Sequence, residues 1–348
     1  MSQQRWVKGA AVLGVGTLAL GVGLVLTADP DDTAQPTSSD QEITPEATAA
    51  EWTDEPIGFA ALPGEGLDGT TGGAAGETVT VTTQEELAEY AEAEEPYTIL
   101  VEGTIEMDPF GETIDVTSDK SIIGVDEDAE IFEGGFRILE QSNVIIRNLT
   151  IGNTYDPDDP DGKENDDDAI QIDESHHVWL DHNRFTRAGD GLVDLRLDSD
   201  FVTFSWNVFE EHNKSFGIGW TDNLITKVTI HHNWIRETNQ RNPSTDNTEA
   251  AHLFNNYFQD ITGYGVLARG EGKVVVENSF FDSVNDPLTI NNDAELVERG
   301  NIFEDTTGDT ETSGEAFDPT DHYEYELDPA EEVPELVTEG AGPTEWQQ

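Results

Sequence analysis

The chain has 348 residues, with 16 Lys+Arg against 74 Asp+Glu and a formal net charge of −58. That length allows one large domain or two small ones with a sizeable core, and the charge excludes nucleic acid as a partner, since no basic patch with interleaved aromatics occurs. The absence of cysteine removes disulfides, zinc–thiolate centres, a thiol nucleophile and a cysteine-linked lipid anchor. Self-repulsion of this size destabilises a compact state, but at about 1 M salt the Debye length falls to about 3 Å. The composition therefore reads as adaptation to concentrated salt. An acidic disordered chain is the alternative, and it fits poorly with 7 Trp, 7 Tyr and 15 Phe in patterned segments.

At the N-terminus, Arg5 and Lys8 precede an uncharged run from Gly9 to Ala28. Residues 1–28 read as a secretory signal peptide. The run is also nearly long enough to span a bilayer of roughly 30 Å, so an uncleaved anchor stays open, and membrane association is expected only in that case. Both readings place the body outside the cell. Residues 29–52, rich in Asp, Thr, Ser, Pro and Ala, read as a disordered acidic linker, and 53–348 as the folded domain.

That domain opens with Thr78 to Thr82 alternating like a strand, and Thr83 with Glu86 forms a capping box for a helix over 84–95. These elements read as a cap over the first turn of a stack. From about residue 140 one pattern recurs: alternating apolar residues, then Asn, then a bulky residue. Its copies place asparagines at Asn148, Asn183, Asn207, Asn233, Asn256, Asn278 and Asn301. A period in the low twenties marks a solenoid. The strand-like alternation, without a sustained helical period, selects a parallel β-helix whose turns share one core. The asparagines read as a structural ladder along its axis. Residues 328–342 read as a short helix folding back. The expected fold class is all-β, a right-handed parallel β-helix with an N-terminal helical cap and a C-terminal tail packed on it.

Residues one period apart stack at about 4.8 Å per turn. Asp168 and Asp190 are 22 apart, Asp194 follows Asp168 by 26, Lys214 follows Asp190 by 24, and Arg241 follows Lys214 by 27. They can form a ladder of roughly 15 Å on one face, the length of an oligosaccharide. Acidic clusters alone, such as Asp166-Asp167-Asp168, read as solvated surface here. Two of only 16 cations on the same face argue for a site. Calcium suits such carboxylates, being hard and tolerant of irregular geometry. His231 and His232 are adjacent, so on a strand they are expected to point to opposite faces, a poor metal pair.

The segments VWLDHN (178–183), DGLVD (190–194), HNK (212–214), QRNP (240–243) and HLFNNYF (252–258), in this order and at these spacings, resemble the pectate and pectin lyase family of polysaccharide lyases along most of residues 57–343. The chain is identified as an acidic member of haloarchaeal type. The resemblance implies calcium held by Asp168, Asp190 and Asp194, with Asp166 a further acidic position. It implies that Lys214 binds a substrate carboxylate and that Arg241 removes the C5 proton of a galacturonate. The implied reaction is β-elimination of de-esterified pectin (polygalacturonate) to 4,5-unsaturated products, by a secreted monomer. Arg241 either passes the proton through a transiently neutral guanidine or stabilises the enolate.

One motif departs from the family. Its Arg-x-Pro-x-x-Arg-x-Gly is here Arg241-Asn242-Pro243-Ser244-Thr245-Asp246-Asn247-Thr248, so the second arginine is Asp246 and the glycine Thr248. Weaker binding or a displaced subsite is expected, with Arg236 or Arg269 compensating. Asp181 and His182 read as structural rather than as an acid–base pair. Asn148 and Asn213 open glycosylation sequons, the latter colliding with the proposed site. Two rivals stay open: a hydrolase on the same scaffold, using paired carboxylates and water, and a pectate-binding surface solenoid without turnover.

Overall fold

The computed structural model describes residues 53, 55–160, 162–164 and 166–345. The expected leader at 1–28 and linker at 29–52 lie outside the described residues. The rest is a β-solenoid whose turns contribute strands to three faces. The first face stacks ten strands in sequence order, from Glu77–Val81 through His176–Asp181, Asp200–Ser205 and Lys227–His231 to Glu295–Arg299. The second runs from Thr104–Glu106 through Arg184–Thr186, Val208–Lys214 and Trp234–Gln240 to Ile302–Glu304. The third runs from Glu112–Asp115 through Ile170–Asp173, Val193–Arg196, Phe216–Gly219, Ser244–Asp246 and Val266–Arg269 to Leu288–Ile290. Each strand pairs in parallel with those one turn before and after it. Parallel crossovers within a sheet are right-handed, which gives the expected right-handed parallel β-helix.

Side-chain alternation decides which residues fill the barrel. Val178 and Leu180 point inward, in columns Val144–Val178–Val202–Val228 and Ile146–Leu180–Phe204–Ile230, all fully buried. One turn alone has nothing to bury these residues against, so each adds stability only when stacked. Phenylalanines form a second interior column, with the Phe258 and Phe281 ring centroids 4.3 Å apart.

The asparagine ladder is real but shorter than the motif alignment implied. Register places Asn183, Asn207, Asn233 and Asn256 in one column, each backbone N–H donating to the next Oδ1 at 2.9–3.0 Å. Ser279 and Asn301 continue it, and Leu149 begins it. Asn148 and Asn278 sit one residue earlier, beside His182, Trp206, His232 and Asn255. That column turns the corner in the left-handed region, at φ between 40° and 61°, where asparagine is tolerated best among ordinary side chains. His232 belongs to it, which corrects the expectation for the histidine pair. The turn brings His231 Nδ1 and His232 Nδ1 to 2.9 Å instead of sending the rings to opposite faces.

The N-terminal helix is Gln84–Ala91, capped by Thr83 accepting from the Glu86 N–H at 3.3 Å. It ends four residues before the expected 95. Glu92, Glu94 and Glu95 oppose the negative helix C-terminus, and Pro96 cannot continue a helix. The C-terminal helix, Val333–Gly340, packs Val333 and Val337 on Tyr257 and Phe280 of the second face. Its tail then runs back until the Thr344 N–H donates to Asn148 Oδ1 at 2.7 Å. Outward residues of the first face are also covered: Phe59 and Ala60 donate backbone N–H groups to Thr229 and Thr203, while Tyr323 and Tyr325 bond His252 and Glu277. The site lies elsewhere, at the corner between the second and third faces.

Candidate active site

The corner between the second and third faces carries the chemistry-bearing residues. Asp166 and Asp168 precede Ile170–Asp173, Asp190 precedes Val193–Arg196, Lys214 ends Val208–Lys214, and Arg241 follows Trp234–Gln240. Carboxylate oxygens of Asp166, Asp168 and Asp190 lie within 4.8 Å of one another. Asp168 is buried and accepts the Gly191 N–H at 2.7 Å. Burial, then Asp194, Asp190 and Asp166, push its carboxyl well above the usual carboxylate range.

Asp194 stands beside this group rather than in it. It pairs in register with Gln171 and Gly217 and accepts the Gly217 N–H at 3.2 Å. Arg196 Nη1 lies 3.6 Å from its Oδ2 and Arg241 Nη1 4.0 Å from its Oδ1. Burial pushes Asp194 up to about 6 against the pull of those two arginines. The glycines beside these acids leave room for the carboxylates. A Cβ at Gly191 would lie 2.9 Å from Asp168 Oδ1, and one at Gly217 would lie 2.9 Å from Asp194 Oδ1.

The cations come from the next two turns. Lys214 Nζ is salt-bridged to Asp190 Oδ1, and the Asp190 loop is fixed by His212, whose Nε2 bonds the Asp190 carbonyl at 2.7 Å. The expected straight column is offset at Arg241. Register sets Lys214 opposite Gln240 and Gly217 opposite Ser244, so one extra residue is accommodated at Arg241–Pro243. Arg241 takes φ 60°. Buried Asn242 fixes the turn, accepting from Ser215 and Thr238 and donating to the Tyr264 carbonyl.

Two arginines offered for substrate binding separate here. Arg236 is not brought to the site: its Nε donates to buried Glu210 at 2.7 Å and its guanidinium stacks on Trp234. Arg269 ends the third-face strand Val266–Arg269, opposite Asp246 in register, with Nη2 3.6 Å from Asp246 Oδ2. Sequence reasoning missed Trp220, whose ring lies 5.2 Å from Arg241 Cζ and 4.8 Å from Arg269 Cζ. It also missed Arg196, which binds Asp173 bidentately and faces both Asp166 and Asp194. The 23-residue spacing of Asp246 and Arg269, one turn of the stack, was the available signal for their pairing.

The Asn148 sequon loses its force. Asn148 is fully buried, its Nδ2 bonded to the Gly124 and Thr344 carbonyls. Asn213 Oδ1 accepts from Asn239 at 2.8 Å. Asp181 and His182 bond each other at 2.7 Å on the first face, with Arg147 and Ser205 completing the carboxylate's partners.

Known proteins share this architecture. A family model described as pectate lyase matches residues 46–342. A pectate trisaccharide-lyase of Thermotoga sp. (strain RQ2) is 38% identical over 334 residues, spanning 85% of this chain and 91% of that protein. One from Bacillus licheniformis is 34% identical, over 82% and 85%. The crystal structure of a pectate lyase from Bacillus sp. N165 in complex with trigalacturonate superposes with TM-score 0.67 at 29% identity, covering 83% of this chain and 98% of that one. The corner that gathers Asp168, Asp190, Lys214 and Arg241 is thus set on a matching scaffold along nearly its whole length, and the chain belongs to the pectate lyase family of polysaccharide lyases.

Proposed function

We propose that this chain is a secreted, calcium-dependent pectate lyase working in concentrated salt, cleaving polygalacturonate by β-elimination. The convergence of three carboxylates, Lys214 and Arg241 at one corner carries the reading. Calcium fits the donor set: the oxygens are hard, and their 4.8 Å spread is about twice the calcium–oxygen distance of 2.3–2.6 Å. Asp166, Asp168 and Asp190 would hold it with Asp194 adjacent, and it would neutralise charge growing on the substrate carboxylate as the C5 proton leaves.

The protein's own groups supply the rest. Lys214 exchanges Asp190 for the substrate carboxylate, an attraction of about 4 kcal/mol at 4 Å with an effective dielectric near 20. As the C5–H bond breaks, its proton passes to the base, the role the family resemblance gives Arg241, and its electron pair forms the C4–C5 double bond. The C4–O bond breaks, the leaving oxygen takes a proton, and no water is consumed. Arg241 faces the reacting centre. Its Nη1 stands 4.0 Å from Asp194 Oδ1, and a cation at this place would also stabilise the negative charge that develops on the enolate.

Asp246 supports a second reading, a pectate-binding solenoid without turnover, because it stands where the family's motif has its second arginine. The test mixes protein with polygalacturonate in molar NaCl, with calcium or with a chelator, alongside Arg241→Ala. Ultraviolet absorbance of an unsaturated product that needs both calcium and Arg241 supports the lyase. Reducing ends without that absorbance indicate a hydrolase, and bound polymer with neither indicates the solenoid.

A further inference from the structure

Among the described residues, Arg241 and Arg269 stand apart from every other arginine. Arg137, Arg147, Arg184, Arg187, Arg196, Arg236 and Arg299 each donate a hydrogen bond to a carboxylate or amide oxygen. No described residue accepts one from the guanidinium of Arg241 or Arg269. Both instead lie against one indole, Trp220, at 5.2 and 4.8 Å. In a chain of net charge −58, both guanidiniums stop short of hydrogen-bonding the carboxylate beside them, Asp194 at 4.0 Å from Arg241 and Asp246 at 3.6 Å from Arg269.

The backbone shows how Arg269 gets there. Gly219, Asp246 and Arg269 occupy one column on consecutive turns: Gly219 backs directly onto the Asp246 carbonyl, and Asp246 pairs with Arg269. Trp220 follows Gly219 with φ 50°, two turns before Arg269. For the Arg269 guanidinium to lie 4.8 Å from that ring, the two side chains must meet across the turn of Asp246. At 3.6 Å, Asp246 orients this guanidinium by charge without taking up its donors. A cation therefore stands over the position where the family's arginine is replaced by Asp246, supplied from the next turn.

We propose that Arg269, seated on Trp220 and oriented by Asp246, is the second substrate-carboxylate clamp of this chain and sets its grip on an anionic uronate chain beside Arg241. Trp220 is the positioning residue, holding both guanidiniums by cation–π contact. A planar guanidinium with unbonded donors suits bidentate carboxylate recognition, which an ammonium does not reproduce. This rests on the lyase reading above.

Steady-state kinetics on polygalacturonate, with calorimetric titration of trigalacturonate, tests it in wild type, Arg269→Ala, Arg269→Lys, Trp220→Leu and the double variant Asp246→Arg/Arg269→Ala. Loss of a charge-assisted contact predicts KM and Kd raised about tenfold to a hundredfold in Arg269→Ala, with kcat changed far less. Arg269→Lys should recover only part of this, and Asp246→Arg/Arg269→Ala most of it, because the cation returns to the same place. Trp220→Leu should raise KM and lower kcat together, since it also releases Arg241. Unchanged KM and Kd in Arg269→Ala, with wild type active, overturns the clamp and leaves the lyase standing. Wild type that binds trigalacturonate through Arg269 but yields no unsaturated product keeps the clamp and overturns the lyase.

Discussion

Lys214 is salt-bridged through Nζ to Oδ1 of Asp190, one of the three carboxylates whose oxygens converge within 4.8 Å. The lysine thus occupies part of the place a divalent cation would take, and it must let go of Asp190 to meet a substrate carboxylate. Lys214→Met should lower kcat by about a hundredfold, the usual cost of one electrostatic stabiliser. Calcium affinity should rise by roughly tenfold as the competing ammonium disappears. Weaker calcium binding in a calorimetric titration of this variant would show that the lysine supports the site instead of competing for it.

Asp168 is the buried member of the group, and its carboxyl is destabilised by burial and by Asp194, Asp190 and Asp166. Asn keeps its shape and an acceptor for the Gly191 N–H while removing the charge. In chelator, Asp168→Asn should therefore melt at or above the wild-type temperature. Calcium at about a hundred times its Kd should stabilise wild type by about 2.7 kcal/mol and leave the variant unmoved. Equal calcium-induced shifts in both proteins would remove Asp168 from the site.

The strand-like pattern around Val178 and Leu180, and the repeat of asparagine, made the solenoid legible because stacking imposes one spacing on every turn. The acid and cation ladder was legible for the same reason. What the spacing could not reveal was local departure from it. Asn148 and Asn278 match the motif but occupy the left-handed corner column, a shift of one residue that only register exposes. The extra residue at Arg241–Pro243 moves Arg241 off the Lys214 column in the same way. Trp220 carries no motif, and its meaning arises from two arginines on the two turns that follow it.

Glu277 ties the C-terminal segment to the first face, bonded by Tyr325 at 2.5 Å, Arg299 at 2.8 Å and His252 at 3.1 Å. Burial alone would raise its carboxyl, but these bonds outweigh it and hold the value at about 2. A depressed folded value contributes stability that is present above the unfolded value near 4.5 and lost as pH falls toward 2. Chemical denaturation should show this acid limb, on the order of 2 kcal/mol, flattened in Glu277→Gln. An unchanged limb in that variant would assign acid sensitivity elsewhere.

Net charge of −58 predicts strong salt dependence. Screening extends over about 10 Å at 0.1 M but only about 3 Å at 1 M, so raising NaCl should raise the melting temperature steeply over that range. The β-strand circular dichroism should persist in molar salt and be lost at far lower temperature in dilute buffer. A melting temperature independent of NaCl would contradict adaptation to concentrated salt.

The ladder and the corner column make different predictions for the loss of an asparagine. Asn207 is fully buried; its Oδ1 accepts from Asn183 N and Nδ2, and its Nδ2 donates to the Leu180 carbonyl and Asn233 Oδ1. Asn207→Ala strands buried donors and acceptors on both neighbouring turns, each costing about 1–3 kcal/mol, so a loss of roughly 3 kcal/mol or more is expected. Asn278 instead donates to the Asp328 carbonyl at the tail and adopts φ 40°. Asn278→Gly keeps that conformation accessible and loses a single partly buried bond, so about 1 kcal/mol is expected. Urea denaturation of the two variants in molar salt decides the matter. Comparable losses would mean that the asparagines act as one continuous ladder, whereas a clear excess at Asn207 means that stacking amides, not the motif, hold the turns together.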